Sequence, residues 1–512
     1  MTRPGLACHT PAHGTVFTPS VDGDDGNAIF RAAGHIAPEV RPLNRTIEMN
    51  LPGSTPSLAG DALPAVTVSP PGPESLRLAD ELRRWESRNV TYLGPEFPVF
   101  WSEARGANVR DVDGNVYVDL TAAFAVAGAG HAHPAIVAAI QAQAGRLLHG
   151  MGDVHPPAVK VDLLRELATV APGNLSRSIL ASSGAEAVEA ALKTAALATG
   201  KPRVLAFHGG YHGLTYGALA VSGREDFRAP FTPQLARNAV FAPYPYVYRS
   251  PFGGDAEAVC EATLRHVRYL LDTPGTASEG IGAILVEPVQ GRGGDVVPPD
   301  GFLPGLRQIC DERGLLLIFD EIYTGFGRTG RLFAGEHWGV VPDLLCVGKA
   351  LTGGFPFSAC VGTPEVMDAW PPSKGEAIHT STFLGHPVGC AAALASIRAL
   401  REERLVERSA GLGARLLGRL REMTADHPNV GEVRGLGMMI GMEMVGDRES
   451  RAPAPELAGR LVVESLRRGV LVLGGGIHNN VLSLSPPFVI TEAQADAALG
   501  VIGEILEEMR SG

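Results

Sequence analysis

The sequence predicts an α/β fold, with a mainly parallel central sheet covered by helices and a smaller C-terminal α+β domain. Three observations predict it. Five short runs, RSILA, RVLAF, GAILVE, LLLIFD and LLCVG, are apolar almost without interruption, the pattern of strands buried on both faces. Longer stretches with helical spacing separate them, as when helices cover both sides of a parallel sheet. Beyond about residue 388 the character changes to long charged helices (REERLVERSAGLGARLLGRLREM), then the short strand patterns GMMIGMEMV, LVLGGG and VLSLSPP, and a last helix expected over 491–509.

Taken in order, residues 1–73 hold 8 Gly and 11 Pro with no sustained period. A chain of that composition cannot offset the entropy of ordering itself, so a flexible extension is expected there. An N-terminal segment that packs with the small domain is expected over 74–130: SLRLADELRRWESRN has helical spacing, and VFWSEARGANVRDVDGNVYVDL alternates as a hairpin turning at Asp113-Gly114. The large domain is expected over 131–387 and the small C-terminal domain over 388–512.

The 512 residues carry 44 basic and 55 acidic side chains, a net charge of −11, with the Lys and Arg residues scattered. Binding nucleic acid by bulk charge is therefore not expected. The six cysteines form no C-x-x-C pair and read as reduced thiols. No apolar run reaches the roughly 18 residues of a membrane span, and the N-terminus lacks the apolar stretch of a secretory signal. A soluble cytoplasmic protein with no membrane partner is the expectation.

In an open parallel sheet, ligands collect beyond the carboxyl ends of the strands, where loops converge and helix N-termini point free N–H groups. After RSILA, Ser182-Ser183-Gly184-Ala185-Glu186 opens an Ala-rich helix, and small residues there let the backbone approach a phosphate. An ordinary Ser N-cap, with Glu186 and Glu189 offsetting the helix dipole, explains the same residues. After RVLAF, HGGYHGLT presents Tyr211 and His212, either as a stacking platform for a flat cofactor or as a packed turn. Glu287 follows GAILV, Asp320 ends LLLIF and Lys349 lies just past LLCVG. Buried carboxylates and a buried lysine are costly unless they meet each other or engage chemically. A structural Asp320–Lys349 ion pair would meet that cost. So would a site in which the lysine amine condenses with an aldehyde cofactor while the aspartate keeps the cofactor's ring nitrogen protonated, which is what pyridoxal phosphate needs.

Two decoys are set aside. Gly325-Phe326-Gly327-Arg328-Thr329-Gly330 matches G-x-G-x-x-G, but it follows a late strand, no convincing helix succeeds it, and the position twenty beyond Gly330 is Ala350 rather than an acid. His131 and His133 lack a Cys or acidic partner at ligand spacing, so no metal is expected.

The segments SSGAEAVEAALKTA, FHGGYHG, ILVEPVQGRGG, LLIFDEIYTGFGRTG, PDLLCVGKALTGGFP and HTSTFLGHP resemble, in family order, the class III (ω-type) aminotransferases. The resemblance runs from about Val99 to Glu492. It implies a fold-type-I pyridoxal 5'-phosphate enzyme acting on a small-molecule amine or amino acid and a carbonyl acceptor, and a 131–387 domain that binds the cofactor. Lys349 would form the Schiff base and shuttle the proton, and Asp320 would pair with the pyridine nitrogen. Ser183, Gly184 and Ala185 would bind the phosphate, joined by Thr382 from the other subunit of a homodimer. Tyr211 and Ile322 would sandwich the ring, with Glu287 beside the pocket as a further catalytic residue and His212 as a further cofactor contact. The same fold supports racemisation or elimination, so a class III racemase or a lyase is the alternative.

Departures bear on the substrate. Relatives acting on 4-aminobutyrate or acetylornithine often carry Arg where this chain has Leu214 and Ser483. A guanidinium is the natural bidentate partner of a carboxylate, so the loss of both weakens a dicarboxylate or ω-amino acid reading. LSPPFVIT is more similar to the amine and β-alanine:pyruvate branch, yet residues 471–482 lack that branch's Arg and offer only His478. Arg292 replaces an acid frequent in the aminobutyrate branch, and Tyr323 stands where those enzymes tend to have Gln.

Overall fold

The computed structural model describes residues 58–511 apart from 274 and 276–278. Most of the expected extension, 1–57, lies outside the described residues. Residues 58–72 do not belong to a flexible extension: they are fixed to the fold. Ala65 and Val116 exchange two backbone hydrogen bonds of 2.9 Å. Asn108, fully buried, accepts from Ala62 N–H at 2.8 Å and donates to Ala62 O at 2.9 Å. Asn115 Oδ1 accepts from both Thr67 and Val68 N–H at 2.9 Å. Side-chain amides brought in from elsewhere do what a ladder would do, so no periodicity in 58–72 marks them as ordered.

The helix Pro73–Trp85 follows. The stretch expected to be one hairpin forms three antiparallel strands, β1 Trp101–Arg105, β2 Asn108–Asp111 and β3 Val116–Asp119. The additional turn passes through Gly106, with φ +58° and no room for a Cβ beside the Gly60 carbonyl.

The central sheet contains all five apolar runs: β4 Arg177–Ala181, β5 Arg203–Phe207, β7 Ile281–Val286, β8 Leu316–Asp320 and β9 Leu344–Val347. Two further strands, β6 Ala239–Ala242 and β10 Ser358–Gly362, complete the order β4-β10-β9-β8-β7-β5-β6. Strands β6, β5, β7, β8 and β9 run parallel, and β10 is antiparallel to both β9 and β4. Every residue of β7 and β9 is buried, as expected for strands covered on both faces. The helix Gly184–Thr199 crosses one face, and its buried Ala187, Ala190, Ala191 and Ala195 let it lie close to the sheet.

The C-terminal part has an antiparallel sheet of β11 Val430–Leu436, β12 Met439–Met444, β14 Leu473–Gly475 and β15 Val481–Leu484, in the order β11-β12-β15-β14. Between β12 and β14, β13 Val470–Leu471 leaves to pair parallel with β3, joining this part to the N-terminal sheet. The helix Pro387–Glu402 lies along the helices Pro134–Arg146 and Ala158–Val170. Among the described residues no helix is long and apolar enough to cross a membrane, and the five described cysteines are buried and unpaired.

Asn108 also accepts from Gln494 at 3.0 Å, tying 58–68 to the last helix, Glu492–Ser511. Asn108→Ala is expected to strand several buried donors and acceptors and to lower stability by about 2–4 kcal/mol. Urea unfolding with limited proteolysis checks this; an unchanged midpoint and no new cleavage in 58–68 would show that other contacts hold the segment.

Candidate active site

Because β9, β8, β7 and β5 are parallel neighbours, their carboxyl ends open at one edge. Lys349, Asp320, Glu287 and the Tyr211-His212 turn fan across that edge in strand order. Ser183 joins them from the end of β4. Antiparallel β10 begins where its neighbours end, so Ser358 stands at the same edge and its hydroxyl donates to Ser183 O at 2.6 Å. Ser183, Gly184, Ala185, Tyr211, His212, Glu287, Asp320, Ile322 and Lys349 line one cavity of about 340 Å3, together with Gly213, Leu214, Arg292 and Tyr323.

Asp320, 4% exposed, meets His212 Nδ1 through Oδ2 at 2.8 Å and accepts from Ile322 N–H through Oδ1 at 3.1 Å. It forms no ion pair with Lys349; the structural pairing weighed from sequence is absent among the described contacts. Burial acts to lower the His212 pKa, but the Asp320 hydrogen bond and charge outweigh it and the net direction is upward. Glu287, also buried, accepts from Tyr211 N–H at 2.8 Å and Gly291 N–H at 3.0 Å. Its pKa is raised, chiefly by burial. The two N–H bonds make Glu287 a clamp on the two turns that flank the cavity.

Lys349 Nζ stands 3.9 Å from the centre of the Tyr323 ring, and Tyr323 is itself held by a 2.9 Å hydrogen bond to Ser485. Burial lowers the amine from 10.5 to about 8; Asp320 and Glu287 oppose the shift, and Arg292 and Arg328 add to it. The Lys349 backbone has φ +43°, a left-handed conformation that residues with a Cβ seldom adopt and that clusters at functional sites.

At the helix Gly184–Thr199 the ordinary capping arrangement is real. Ser183 Oγ accepts from Glu186 N–H at 3.3 Å, and Glu186 Oε2 accepts from Ser182 and Ser183 N–H at 2.7 and 3.1 Å. That consumes three donors and leaves the N–H groups of Gly184 and Ala185 directed past the helix end, where an anion is favoured. The cradle is tight: a Cβ on Gly184 would lie 2.9 Å from Ile322, and one on Gly213 would lie 2.6 Å from Ala185. Glu189 does not serve this helix end. Its Oε1 accepts from Thr215 Oγ1 at 2.7 Å and Gly217 N–H at 2.9 Å, capping the next short helix, Tyr216–Val221.

Thr382 is not brought to this cavity by its own chain; it lies exposed in the turn before the helix Pro387–Glu402. Gly325–Gly330 forms turns, with Gly330 against Ala410 and Arg328 O accepting from Met438 N–H at 2.9 Å. It is a seam with the C-terminal part and joins no strand directly to a helix. His131 is held by Asp119 at 2.7 Å, and among the described residues no cluster could ligate a metal. Sequence reasoning missed Ser358, because an antiparallel strand inside a parallel sheet leaves no local signal. It noted Tyr323 and Arg292 only as departures, since which side of the cavity they face depends on the folded turns.

The arrangement suits a flat ligand with an anionic tail and an electrophilic carbon: free N–H groups at one end, a carboxylate at the other, a low-pKa amine between. The family profile "Aminotransferase class-III" matches residues 92–506. The 5-aminovalerate aminotransferase DavT of Pseudomonas aeruginosa is 37% identical over 432 residues, 84% of this chain and 98% of its own. An alanine/serine racemase of Pyrococcus horikoshii is 33% identical over 455 residues, 88% of this chain and 94% of its own. Among solved structures, an amine transaminase from an uncultivated Pseudomonas species, in a PLP-bound (internal aldimine) form, has a TM-score of 0.77 at 32% identity, covering 83% of this chain and 98% of that one. With the motif order, the central sheet and this match over most of its length in agreement, the chain belongs to the class III aminotransferases.

Proposed function

We propose that the enzyme moves an amino group from an amine or amino acid to a keto acid or aldehyde, using pyridoxal 5'-phosphate bound in the Lys349 cavity. The observation that carries this reading is a lysine amine lowered to about 8 beside a buried carboxylate that it does not pair with. When bound, the cofactor supplies an aldehyde carbon that condenses with primary amines and a protonated ring that accepts the electron pair of a bond broken at the substrate carbon. Asp320, oriented by His212, would hold the proton on the ring nitrogen. Gly184 and Ala185 N–H groups and Ser183 would hold the phosphate, with Tyr211 and Ile322 against the two ring faces. Lys349 Nζ, neutral part of the time near neutral pH, takes the proton from the substrate's amine-bearing carbon and releases it. Glu287 is a positioning residue for the Tyr211 and Gly291 turns.

A homodimer with the site shared between subunits accounts for Thr382: exposed and away from the cavity in its own chain, it would serve the partner's phosphate site. The cytoplasm is the compartment proposed for this enzyme, in keeping with its five described cysteines, which are unpaired.

Screening amine donors against pyruvate and 2-oxoglutarate identifies the pair. With a donor alone, amino transfer converts the cofactor stoichiometrically to its amine form; unchanged cofactor with loss of the donor's optical purity would establish racemisation instead. Lys349→Ala is expected to abolish turnover and, after hydride trapping, the cofactor adduct seen at residue 349 by mass spectrometry. The Lys349 shift sets a pH dependence with a definite sign. The amine is protonated below about 8 and free above it, so the rate at which cofactor adds to the stripped protein is expected to rise through that value and then level. A rise continuing toward the ordinary 10.5 would show that burial does not lower the amine.

A further inference from the structure

Two cavities meet at Arg292. The one at Lys349, of about 340 Å3, adjoins a larger one of about 1090 Å3 that opens toward the helix Pro73–Trp85, and Arg292 and Leu214 line both. The Arg292 guanidinium carbon is 5.8 Å from the Tyr211 ring centre, 5.8 Å from that of Phe227 and 5.9 Å from that of Phe124. Three rings thus frame the charge and restrict where it can swing.

The backbone that carries it is held on both sides. Arg292 O accepts from Arg224 Nη1 at 2.6 Å and Gly476 N–H at 3.2 Å, and the preceding Gly291 N–H is held by Glu287. Phe124 reaches the guanidinium from a turn in which Ala122, Ala123, Phe124 and Ala125 all have positive φ, from 44° to 64°. Yet among the described residues no carboxylate pairs with Arg292. A guanidinium fixed by rings and backbone but short of an anion keeps its planar fork of donors for a carboxylate from outside.

The nearby cations are otherwise engaged or displaced. Arg224 is paired with Asp226, Arg83 with Asp80, and Arg88 lies exposed at the outer rim. His478, the cation the sequence offered, lines neither cavity, and partial desolvation together with Arg249 lowers its pKa. Leu214 and Ser483, where relatives often carry arginine, have no charge to offer.

We infer that Arg292 is the specificity-determining residue that holds the substrate's carboxylate, so that donors and acceptors carrying a carboxylate are the preferred class. This rests on the aminotransferase reading above. The test uses the holoenzyme with one amine donor and compares kcat/KM for pyruvate with kcat/KM for propanal. In Arg292→Gln the ratio is expected to fall about a hundredfold, mostly through the KM for pyruvate, and Arg292→Lys to recover about a tenth to a half of it. A ratio within about threefold of the original in Arg292→Gln overturns the inference.

A second readout needs no turnover. By calorimetry, the unreactive 3-phenylpropanoate is expected to bind the holoenzyme at least about tenfold more weakly after Arg292→Gln, with 3-phenylpropanamide unaffected. No weakening, or no binding to the unsubstituted enzyme, overturns the inference. If the unsubstituted enzyme transfers no amino group with any acceptor, the functional reading fails instead, and calorimetry alone decides Arg292.

Discussion

An amine and two carboxylates share the carboxyl end of a sheet whose central strands are apolar, and the surrounding structure is built to keep them from collapsing onto one another. Asp320 could neutralise Lys349 directly, which would satisfy both and silence both. Instead its carboxylate is occupied by His212 and by the Ile322 N–H, Glu287 by two backbone donors, and Lys349 rests over the Tyr323 ring. Each carboxylate is satisfied without spending the amine. The lysine is left with a desolvation penalty that the two acids only partly offset, and that imbalance holds its amine below the ordinary value.

Holding that arrangement carries a conformational cost. A left-handed backbone is unfavourable by roughly 1–2 kcal/mol for a residue with a Cβ, and both Lys349 and the four residues 122–125 adopt it. Neighbouring contacts fix the lysine turn: Leu351 N–H donates to Gly348 O at 2.9 Å, Thr352 Oγ1 to Phe355 O at 2.6 Å, and Ser396, from the helix Pro387–Glu402, to Ala350 O at 2.9 Å. Strain of this kind survives only where several contacts over-determine it. Phe124 beside Arg292, Ser485 on Tyr323 and Ser396 on Ala350 come from outside the central sheet, so among the described residues the site draws on more than that sheet alone.

The glycine-rich stretch 325–330 shows how one motif can serve a different purpose from the one its letters suggest. Arg328, fully buried, donates to Met438 O at 3.1 Å and Pro486 O at 2.6 Å and lies over the Phe488 ring at 4.5 Å. The glycines allow close approach of Ala410 and of the Gly437 turn. The small residues admit neighbouring chain rather than a dinucleotide, and the arginine ties the C-terminal sheet to the strand that ends in Asp320.

The amino-acid sequence by itself determined the strands β4, β5, β7, β8 and β9 and the residues that end them, because an apolar run broken by a single charge is a local signal that needs no partner to be read. It also determined the glycine and serine at the start of the helix 184–199, since capping is decided within one turn. What only the tertiary structure decided was each matter of pairing across distance: that 58–72 is ordered through Asn108 and Asn115, that β10 enters antiparallel and brings Ser358 to Ser183, that Glu189 caps a helix other than its own, and that Asp320 faces His212 rather than Lys349. Hydrogen bonds and charges act between groups far apart in the chain, and no periodicity in either segment records which partner the fold will bring.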